Sequence, residues 1–543
     1  MKRILCALTA LCLILLAFSA MAEGADVKGG GVLNVGEYIL DTQLANLNPY
    51  ITTGTANSNL RLLLYDSLTY FNPIDGAVIP MIATEWTSND DFTQIVLQIR
   101  EGVTFTDGET LDAVDVAFSI NMLNGTALDV HGLWNNIATV EATGEHEVTV
   151  LFSAPFPSFP SYLNELFIVP EHIWSAVGDV AAYQNNEPIG SGPFIWGSYT
   201  TGTDIQFTAN QEYWAGAPQV DRLVIKLYNS SQNLSIALMA NEVECTFGTI
   251  TMSYVTEFLT LPNAHMQLYS GFSNYTVFMN HEYGLLADVN VRKAMGMAID
   301  QTSLIVRGEY NCVYPMNMAW LPDAFGDLVD HESNALLTYD PAGAKQVLED
   351  AGYVLGDDGV YFDPDSGERL SFTYFNASGA PAQQMEAGMI QQWLLNIGVE
   401  IIPRVATWAE LSSKMQMGDF QLLQNSTPLT NDAYAAFFTS FHSSSTAPSG
   451  EAATGRNYNR YRNEALDALI DELATTIDAD QRNEIIIQCQ QIIANDYIYM
   501  PMYNVGGHNP YYDGNNISGW TCDVYPINCP LQLIGVYALE AQQ

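Results

Sequence analysis

Residues 80–120 read PMIATEWTSNDDFTQIVLQIREGVTFTDGETLDAVDVAFSI and contain the pattern that decides the fold. A stretch rich in β-branched and aromatic residues is followed by the turn dipeptide Asp107-Gly108. The same alternation of short β-branched or aromatic runs with helical patterns continues along the chain, which is typical of α/β domains. The turn residues are expected to define the scaffold and not to contact a ligand.

Three further segments predict helices whose apolar residues lie on one buried face. Asp288 is expected to cap the first of them. The second has Asp340 as its N-cap, Pro341 in its first turn and Gly352 at its end. The third is defined by apolar residues at helical spacing, Leu466, Leu469, Ile470 and Leu473. All three are expected to face a core and to carry no catalytic group.

The composition excludes several classes of function. The chain has 543 residues, of which 48% are hydrophobic and 15% charged, with 18 Lys and Arg against 61 Asp and Glu. A chain well beyond ~300 residues is expected to contain more than one core. The net charge of −43 excludes nucleic-acid binding, because phosphate backbones would be repelled, and it disfavours docking on anionic lipid.

The N-terminus has the order of a secretory signal peptide. Lys2 and Arg3 precede an apolar run over residues 4–18, and small residues follow up to Ala22. Cleavage is expected after Ala22, which would place the mature protein in the periplasm or at the outer face of the cytoplasmic membrane. The alternative is a membrane anchor, which the run disfavours because it falls short of the ~20 residues of a span.

Five cysteines follow the predicted signal peptide, and their wide spacing does not suggest a disulfide framework. Cys522 and Cys529 are close enough in sequence for a local bridge, and the sequence leaves that pairing open.

No motif for catalysis or for metal or phosphate binding is complete. Three His-Glu dipeptides occur, but none is followed by the second His of a zinc-protease helix. Residues 357–370 are rich in Asp and Gly, yet lack the order of a calcium loop and predict a solvated hairpin turn. We therefore predict no enzyme activity, no cofactor and no metal. A secreted hydrolase that uses two carboxylates remains open, because no sequence spacing defines one.

Segments spread over nearly the whole chain resemble, in order, those of the bacterial extracellular solute-binding proteins of family 5, which serve ABC importers of oligopeptides and dipeptides. The strongest similarity is to the family's turn before a helix, Arg100-Glu101-Gly102-Val103-Thr104-Phe105-Thr106-Asp107-Gly108. The other similar segments are Leu47-Asn48-Pro49, Leu64-Tyr65-Asp66-Ser67-Leu68, Ile168-Val169-Pro170-Glu171-His172-Ile173-Trp174, Pro188-Ile189-Gly190-Ser191-Gly192-Pro193-Phe194, Asn210-Gln211-Glu212-Tyr213-Trp214, Asp288-Val289-Asn290-Val291-Arg292-Lys293-Ala294 through Ala298-Ile299-Asp300, Tyr339-Asp340-Pro341, Asn457-Tyr458 and Pro501-Met502-Tyr503.

The resemblance implies an α/β fold of the type II periplasmic-binding-protein class, with two lobes, a two-segment hinge and an extra subdomain in lobe I. Transferred to this sequence, lobe I is 31–66, 186–275 and 505–543, the inserted subdomain is 67–185, and lobe II is 276–504. The expected function is capture of a small solute in the cleft between the lobes and its delivery to the permease of an ABC importer. The protein is expected to act as a monomer.

The resemblance also implies ligand contacts on both lobes. In lobe I these would come from the loop Thr53-Gly54-Thr55, and at the first crossing from the backbone of Tyr275 and Thr276. An aromatic of lobe II matches Trp408, whose large rigid face suits a ligand. The alternative for Trp408 is a core residue that packs the helix following it.

The family's acid for a peptide's ammonium group is not matched in this sequence. Peptide binders of the family hold that group with an Asp in a W-x-x-D-like segment, whereas residues 425–434 here are NSTPLTNDAY. Leu429 or Thr430 lies at the place of the acid, depending on the alignment, and Asp432 is the nearest carboxylate, two or three residues away. A peptide remains the expected ligand. An oligosaccharide stacked on aromatic residues or another small solute stays open, while nickel is disfavoured because few His residues cluster.

Overall fold

The structure is a computed structural model that describes residues 30–38, 46–51, 55–129, 133–247, 250–334, 338–378 and 380–539. The predicted signal peptide, Thr53 and Gly54 lie outside the described residues. The α/β class is evident from strands and helices that alternate along the chain.

The strands in chain order are β1 (Val32–Tyr38), β2 (Thr69–Phe71), β3 (Val78–Pro80), β4 (Ala83–Ser88), β5 (Gln94–Ile99), β6 (Ile137–Gly144), β7 (Glu147–Phe152), β8 (Phe194–Thr200), β9 (Asp204–Ala209), β10 (Arg222–Tyr228), β11 (Cys245–Thr246), β12 (Ala264–Met279), β13 (Tyr314–Pro315), β14 (Val354–Leu355), β15 (Tyr361–Phe362), β16 (Ser371–Ala377), β17 (Glu400–Ala406), β18 (Leu422–Pro428), β19 (Tyr499–Tyr512), β20 (Ile517–Ser518) and β21 (Tyr537–Ala538).

The α-helices are α1 (Thr55–Leu64), α2 (Ala113–Asn121), α3 (Glu171–Trp174), α4 (Ser231–Met239), α5 (Val255–Phe258), α6 (Val289–Met297), α7 (Gln301–Ser303), α8 (His331–Asn334), α9 (Pro341–Asp350), α10 (Pro381–Asn396), α11 (Trp408–Met417), α12 (Ala433–Phe441), α13 (Glu464–Thr475), α14 (Ala479–Asn495) and α15 (Pro530–Leu533). A 3₁₀ helix over Phe159–Glu165 also contributes to the site described below.

One large mixed sheet runs through the molecule in the order β17-β16-β18-β12-β19-β11-β1-β10-β9-β8, with β13 also paired to β19. β12 and β19 are long antiparallel neighbours whose pairing extends from Ala264 opposite Tyr512 to Phe278 opposite Tyr499. An apolar core containing Leu33 and Ile225 covers the β1 side, and a separate core containing Val277 covers the β16 side. The chain thus passes between two cores along β12 and β19.

A smaller antiparallel sheet has the order β4-β5-β7-β6. Alternate residues of β5 point inward, so Ile95 and Leu97 are buried in the same core as Leu33. The turn at Asp107-Gly108 follows, with Gly108 at a φ of +94° that favours glycine. Asp112 then caps α2 by accepting a hydrogen bond from Val114 N. The turn predicted at Asp107-Gly108 and the helix that the family resemblance implies after it are confirmed.

The three other predicted helices are also confirmed. α6 begins after its cap Asp288, which accepts from Asn290 N, and α9 begins after Asp340, which accepts from Gly343 N. Gly352 follows α9 with a φ of +94°. α13 buries three of its four predicted apolar residues, Leu466, Ile470 and Leu473. Local capping and spacing were sufficient to locate these helices.

The hairpin predicted within residues 357–370 is confirmed, since β14 and β15 pair antiparallel around its first turn.

Cys522 and Cys529 are both buried free thiols, so the local bridge that the sequence left open is not formed. In the part of the chain that the structure describes, no helix combines the length and apolar character needed to cross a membrane.

Candidate ligand-binding cavity

A cavity of about 600 Å³ is lined by residues from widely separated parts of the chain. One wall comes from Tyr50 and the residues of and after α1, and another comes from the 3₁₀ helix Phe159–Glu165. Residues 428–431 and Arg456 form the wall that follows β18. β12 and β19 contribute residues 271–273 and 505–507. The volume is in the range of small-molecule binding sites.

The approach of β12 to β19 beside the cavity depends on glycine. The pairing of the two strands shifts register between Tyr269 and Ser273. A Cβ added to Gly506 would lie 1.5 Å from the carbonyl oxygen of Tyr269, and one added to Gly507 would lie 1.9 Å from the Tyr269 ring. A side chain at Gly506 therefore cannot be accommodated without moving the strands, and one at Gly507 would have to displace the Tyr269 ring.

Asn504 holds the irregular part of β12 in place. Its Oδ1 accepts hydrogen bonds from Gly271 N at 3.1 Å and from Ser270 Oγ at 3.0 Å. Its Nδ2 donates to Ser273 O at 2.9 Å. Because Asn504 is 1% exposed, these bonds replace water at backbone groups that the shifted register would otherwise leave unpaired.

Aromatic rings provide much of the apolar lining. Phe71 and Phe272 meet edge to face, with ring centroids 4.9 Å apart. The remaining aromatic residues of the lining are tyrosines, Tyr50, Tyr70, Tyr162 and Tyr269. Such rings offer flat apolar surfaces together with hydroxyl groups.

Charged residues of both signs also line the cavity. Arg61 Nη2 lies 3.2 Å from Glu165 Oε2, and the Arg61 guanidinium lies over the Phe167 ring. The two carboxylate oxygens of Asp129 accept hydrogen bonds from the backbone N–H groups of Leu133 and Trp134, at 2.8 and 3.0 Å. Arg456 Nη1 donates to the carbonyl oxygen of Pro428.

Of the candidate residues named from the sequence, Thr430 lines this cavity. Tyr275 and Thr276 lie instead within the large sheet, where their backbones pair with β18 on one side and with β19 on the other. Tyr275 is 9% exposed and stacks on Tyr503 with ring centroids 4.9 Å apart. Thr55 is the first residue of α1. On β12 the cavity is lined by Gly271, Phe272 and Ser273, a few residues before the predicted pair.

Trp408 is the first residue of α11 and is 39% exposed. The alternative that it is a core residue is therefore wrong. Trp408 does not belong to the lining of the described cavity either, so its contact with a ligand stays a prediction.

Asp432 is the N-cap of α12, and its Oδ1 accepts a hydrogen bond from Ala435 N at 2.9 Å. Ser158 donates to the same carboxylate, and Arg482 Nη2 donates to Ser158 Oγ at 3.3 Å. Burial raises the pKa of Asp432. The structure thus places Asp432 in a polar contact between α12, α14 and the start of the 3₁₀ helix Phe159–Glu165, and not in the cavity lining.

The sequence analysis missed Arg61, Arg456 and the glycines of β19. A Gly-Gly dipeptide inside an apolar strand pattern signals close backbone approach, and it could have pointed to Gly506 and Gly507. The two arginines are among only 18 basic residues, but no local motif distinguishes them. Among the described residues, no group of three or more His, Cys, Asp and Glu side chains could hold a metal ion.

Comparison with known proteins agrees with this architecture. The family model described as bacterial extracellular solute-binding proteins, family 5 Middle, matches residues 77–448. The oligopeptide-binding protein AppA of Bacillus subtilis is 26% identical over 506 residues, which cover 90% of this chain and 89% of that protein.

Two solved structures of low sequence identity share the fold. The structure of AppA with a nonapeptide has a TM-score of 0.74 at 23% identity and covers 95% of this chain and 100% of that one. A mannohexaose-bound oligopeptide-binding protein of Thermotoga maritima has a TM-score of 0.78 at 22% identity, with coverage of 95% and 100%. The type II periplasmic-binding-protein fold that the sequence predicted is confirmed. The family model matches more than half of this chain. The chain therefore belongs to the bacterial extracellular solute-binding proteins of family 5.

Proposed function

We propose that this protein captures a peptide in the cavity between β12, β19 and the 3₁₀ helix Phe159–Glu165, and delivers it to the permease of an ABC importer. The observation that carries the proposal is the similarity to an oligopeptide-binding protein over 90% of the chain. The cavity supports it, because its volume of about 600 Å³ suits a short peptide and its walls combine aromatic, amide and charged groups.

The proposed movement is closure of two lobes around the ligand. We assign 31–66, 186–275 and 505–543 to lobe I, 67–185 to its inserted subdomain and 276–504 to lobe II. β12 and β19 would be the two hinge segments, since separate cores lie on either side of them. A ligand that touches both lobes favours the closed state by its differential affinity for that state.

The proposal contains no step that breaks a bond. Release of the ligand unchanged distinguishes it from a secreted hydrolase that uses two carboxylates. Mass spectrometry of a bound peptide after prolonged incubation should recover the intact peptide, and cleavage products would contradict the proposal.

The proposed location and assembly can be checked on the natural protein. We propose export with cleavage after Ala22 and action as a monomer. The N-terminal sequence of the mature protein and its mass in solution test these two points separately.

Titration with defined peptides tests the proposed ligand. Isothermal titration with a library of di- to hexapeptides should give heat for at least one member. A ligand present at about 100 times its dissociation constant should stabilise the fold by ~2.7 kcal/mol, which a melting experiment detects. Absence of both heat and a melting shift for every peptide would exclude a peptide ligand of these lengths.

An oligosaccharide is the second candidate. The observation that favours it is the aromatic lining of the cavity, together with the mannohexaose-bound structure from Thermotoga maritima. Sugar rings stack on aromatic faces, and the tyrosine hydroxyls could bind their hydroxyl groups. Titration with mannohexaose, with the peptide library as comparison, decides between the two candidates.

A further inference from the structure

Arg456 is a cavity residue whose guanidinium is attracted by the carboxylate of Glu165 but forms no close ion pair with any described residue. Its backbone is fixed by a hydrogen bond from its N–H to Thr439 O at 2.7 Å, and its Nη1 donates to Pro428 O. Among the described residues, no carboxylate oxygen lies within 4.0 Å of its guanidinium. The side chain nevertheless lines the cavity and is partly buried.

Three other buried or partly buried arginines of this chain have a different environment. Arg292, Arg460 and Arg482 each donate to at least two main-chain carbonyl oxygens, which fixes them as structural groups. For Arg456 the structure describes a single side-chain hydrogen bond. The rest of its five-donor guanidinium is therefore available to a molecule in the cavity.

The two acidic residues of the cavity lining already bind other groups, so neither can form a close ion pair with Arg456 without giving up those bonds. Asp129 accepts hydrogen bonds from two backbone N–H groups, and Glu165 pairs with Arg61 at 3.2 Å. Glu165 attracts Arg456 electrostatically but forms no ion pair with it within 4.0 Å, so the guanidinium of Arg456 keeps free donors that an anionic occupant can engage. Buried charges are costly unless they are paired, so an occupant that supplies an anion is favoured there.

The charge of the whole chain makes a local cation necessary for any anionic ligand. At a net charge of −43 the protein repels anions at long range. An anionic ligand would need a local cation, and Arg456 provides one with the planar geometry that binds a carboxylate through two hydrogen bonds.

We propose that Arg456 determines specificity by pairing with an anionic group of the ligand, of the carboxylate class. The inference rests on the proposed capture of a solute in this cavity and adds the chemical class of that solute. The carboxylate could belong to the C-terminus of a peptide or to an acidic sugar, and the experiment below separates these two sources.

The test uses matched probes that differ in one charge. Tri-, tetra- and pentaalanine are titrated as free acids and as C-terminal amides, and trigalacturonic acid is titrated beside its methyl ester. We expect the acid form of at least one pair to bind about 30-fold or more tightly than its neutral partner. The Arg456→Gln variant should lose this preference while its affinity for the neutral partner stays the same.

Two further variants control for charge and folding. Arg462→Gln removes the same charge from an exposed arginine that pairs with Glu282 at 2.7 Å, and it should bind every probe like the natural protein. Arg456→Lys keeps the charge and should retain part of the acid preference. Melting curves of all variants show whether a loss of binding follows from a loss of folding.

Equal affinity for acid and neutral forms, or an acid preference that survives in Arg456→Gln, overturns the assignment while leaving solute capture intact. Binding of the acidic sugar alone supports Arg456 and contradicts the peptide proposal. If no probe binds, mass spectrometry of solutes retained through native purification decides. An anionic solute that is lost in Arg456→Gln supports the inference, and retention of only neutral or cationic solutes, or of none, overturns it.

Discussion

Asn504 on β19 accepts a hydrogen bond from the backbone N–H of Gly271 on β12, with 3.1 Å between Oδ1 and N. The two residues lie 233 positions apart in the chain, on the strands proposed as the hinge. The same side chain donates to Ser273 O, so one amide group holds the part of β12 that lines the cavity. The shape of the cavity on this side therefore depends on a contact between the two strands.

Replacing Asn504 with Ala should destabilise the protein by about 2 kcal/mol, because Gly271 N and Ser273 O would lose their buried partner. Ligand affinity should fall as well, since residues 271–273 would no longer be held. Chemical denaturation and titration measure the two effects. The control is Asn509→Ala, on the same strand but partly exposed, which should change stability and ligand affinity little. An equal loss of stability and affinity in both variants would contradict a specific role for Asn504.

Gly506→Ala should be poorly tolerated, because its Cβ would lie 1.5 Å from the Tyr269 carbonyl oxygen. We expect a loss of about 3 kcal/mol or more, measured by denaturant unfolding. Gly388→Ala is the matched control, since Gly388 lies in α10 with nothing within 4 Å of an added Cβ. That change should stabilise the fold by roughly 0.5–1 kcal/mol through higher helix propensity. A stable Gly506→Ala protein would show that the strands can separate at this point.

Asp432→Asn should lower stability by less than about 1 kcal/mol, because Asn caps a helix as well as Asp does and only the charged contact with Ser158 is weakened. Ser158→Ala should have an effect of the same sign. Neither substitution should change the ratio between the affinity for a peptide with a free amino group and the affinity for its N-acetylated form. A selective loss of affinity for the free amine in Asp432→Asn would instead identify Asp432 as the partner of the ligand's ammonium group.

Glu37 should make the protein less stable as the pH rises. Burial raises the pKa of Glu37 from 4.5 to about 8, and the side chain is 1% exposed. Between these pH values the folded chain holds a proton that the unfolded chain has released, so the free energy of unfolding falls with increasing pH. The expected loss is on the order of 4 kcal/mol by pH 8. Glu37→Gln should flatten this dependence in melting curves, whereas Glu101→Gln at an exposed site should not.

His281 should have the opposite effect at low pH. Burial lowers its pKa from 6.5 to about 3, and its Nε2 donates to Ile498 O at 3.0 Å. Below pH 6.5 the unfolded chain binds a proton at His281 that the folded chain does not bind. Stability should therefore fall as the pH decreases from 6.5 towards 3. His281→Gln can keep a donor to Ile498 O and should reduce this slope. If the loss of stability below pH 6.5 is the same in this variant, groups other than His281 cause it.

The fold was predictable from the sequence where local chemistry determines it. Asp288 and Asp340 mark helix starts by capping, and Asp107-Gly108 marks a turn, so each could be read without knowing its neighbours in space. The cavity is different, because β12 and β19 bring together residues more than 200 positions apart. Arg456 has no local signature, and only its position beside Pro428 and the cavity reveals that most donors of its guanidinium are free.

For Asp432, the local sequence pattern was a better guide than the family resemblance. An Asp before the apolar run of α12 is also a typical N-cap signal, and the structure shows it in that role. The family resemblance drew attention to its carboxylate as a ligand contact, whereas local physical chemistry assigned that carboxylate to the backbone of the following helix.

The five cysteines of the described residues are buried, and burial raises the pKa of Cys529 to about 11. Because the thiolate is the reactive form, these groups should be nearly inert towards maleimides in the folded protein. A cysteine introduced at an exposed position such as Val114, which is 53% exposed, would then be the fast-reacting thiol. Fluorophores could be attached to one such site on each side of the proposed hinge without first removing the natural cysteines, so that the opening of the molecule is followed by energy transfer.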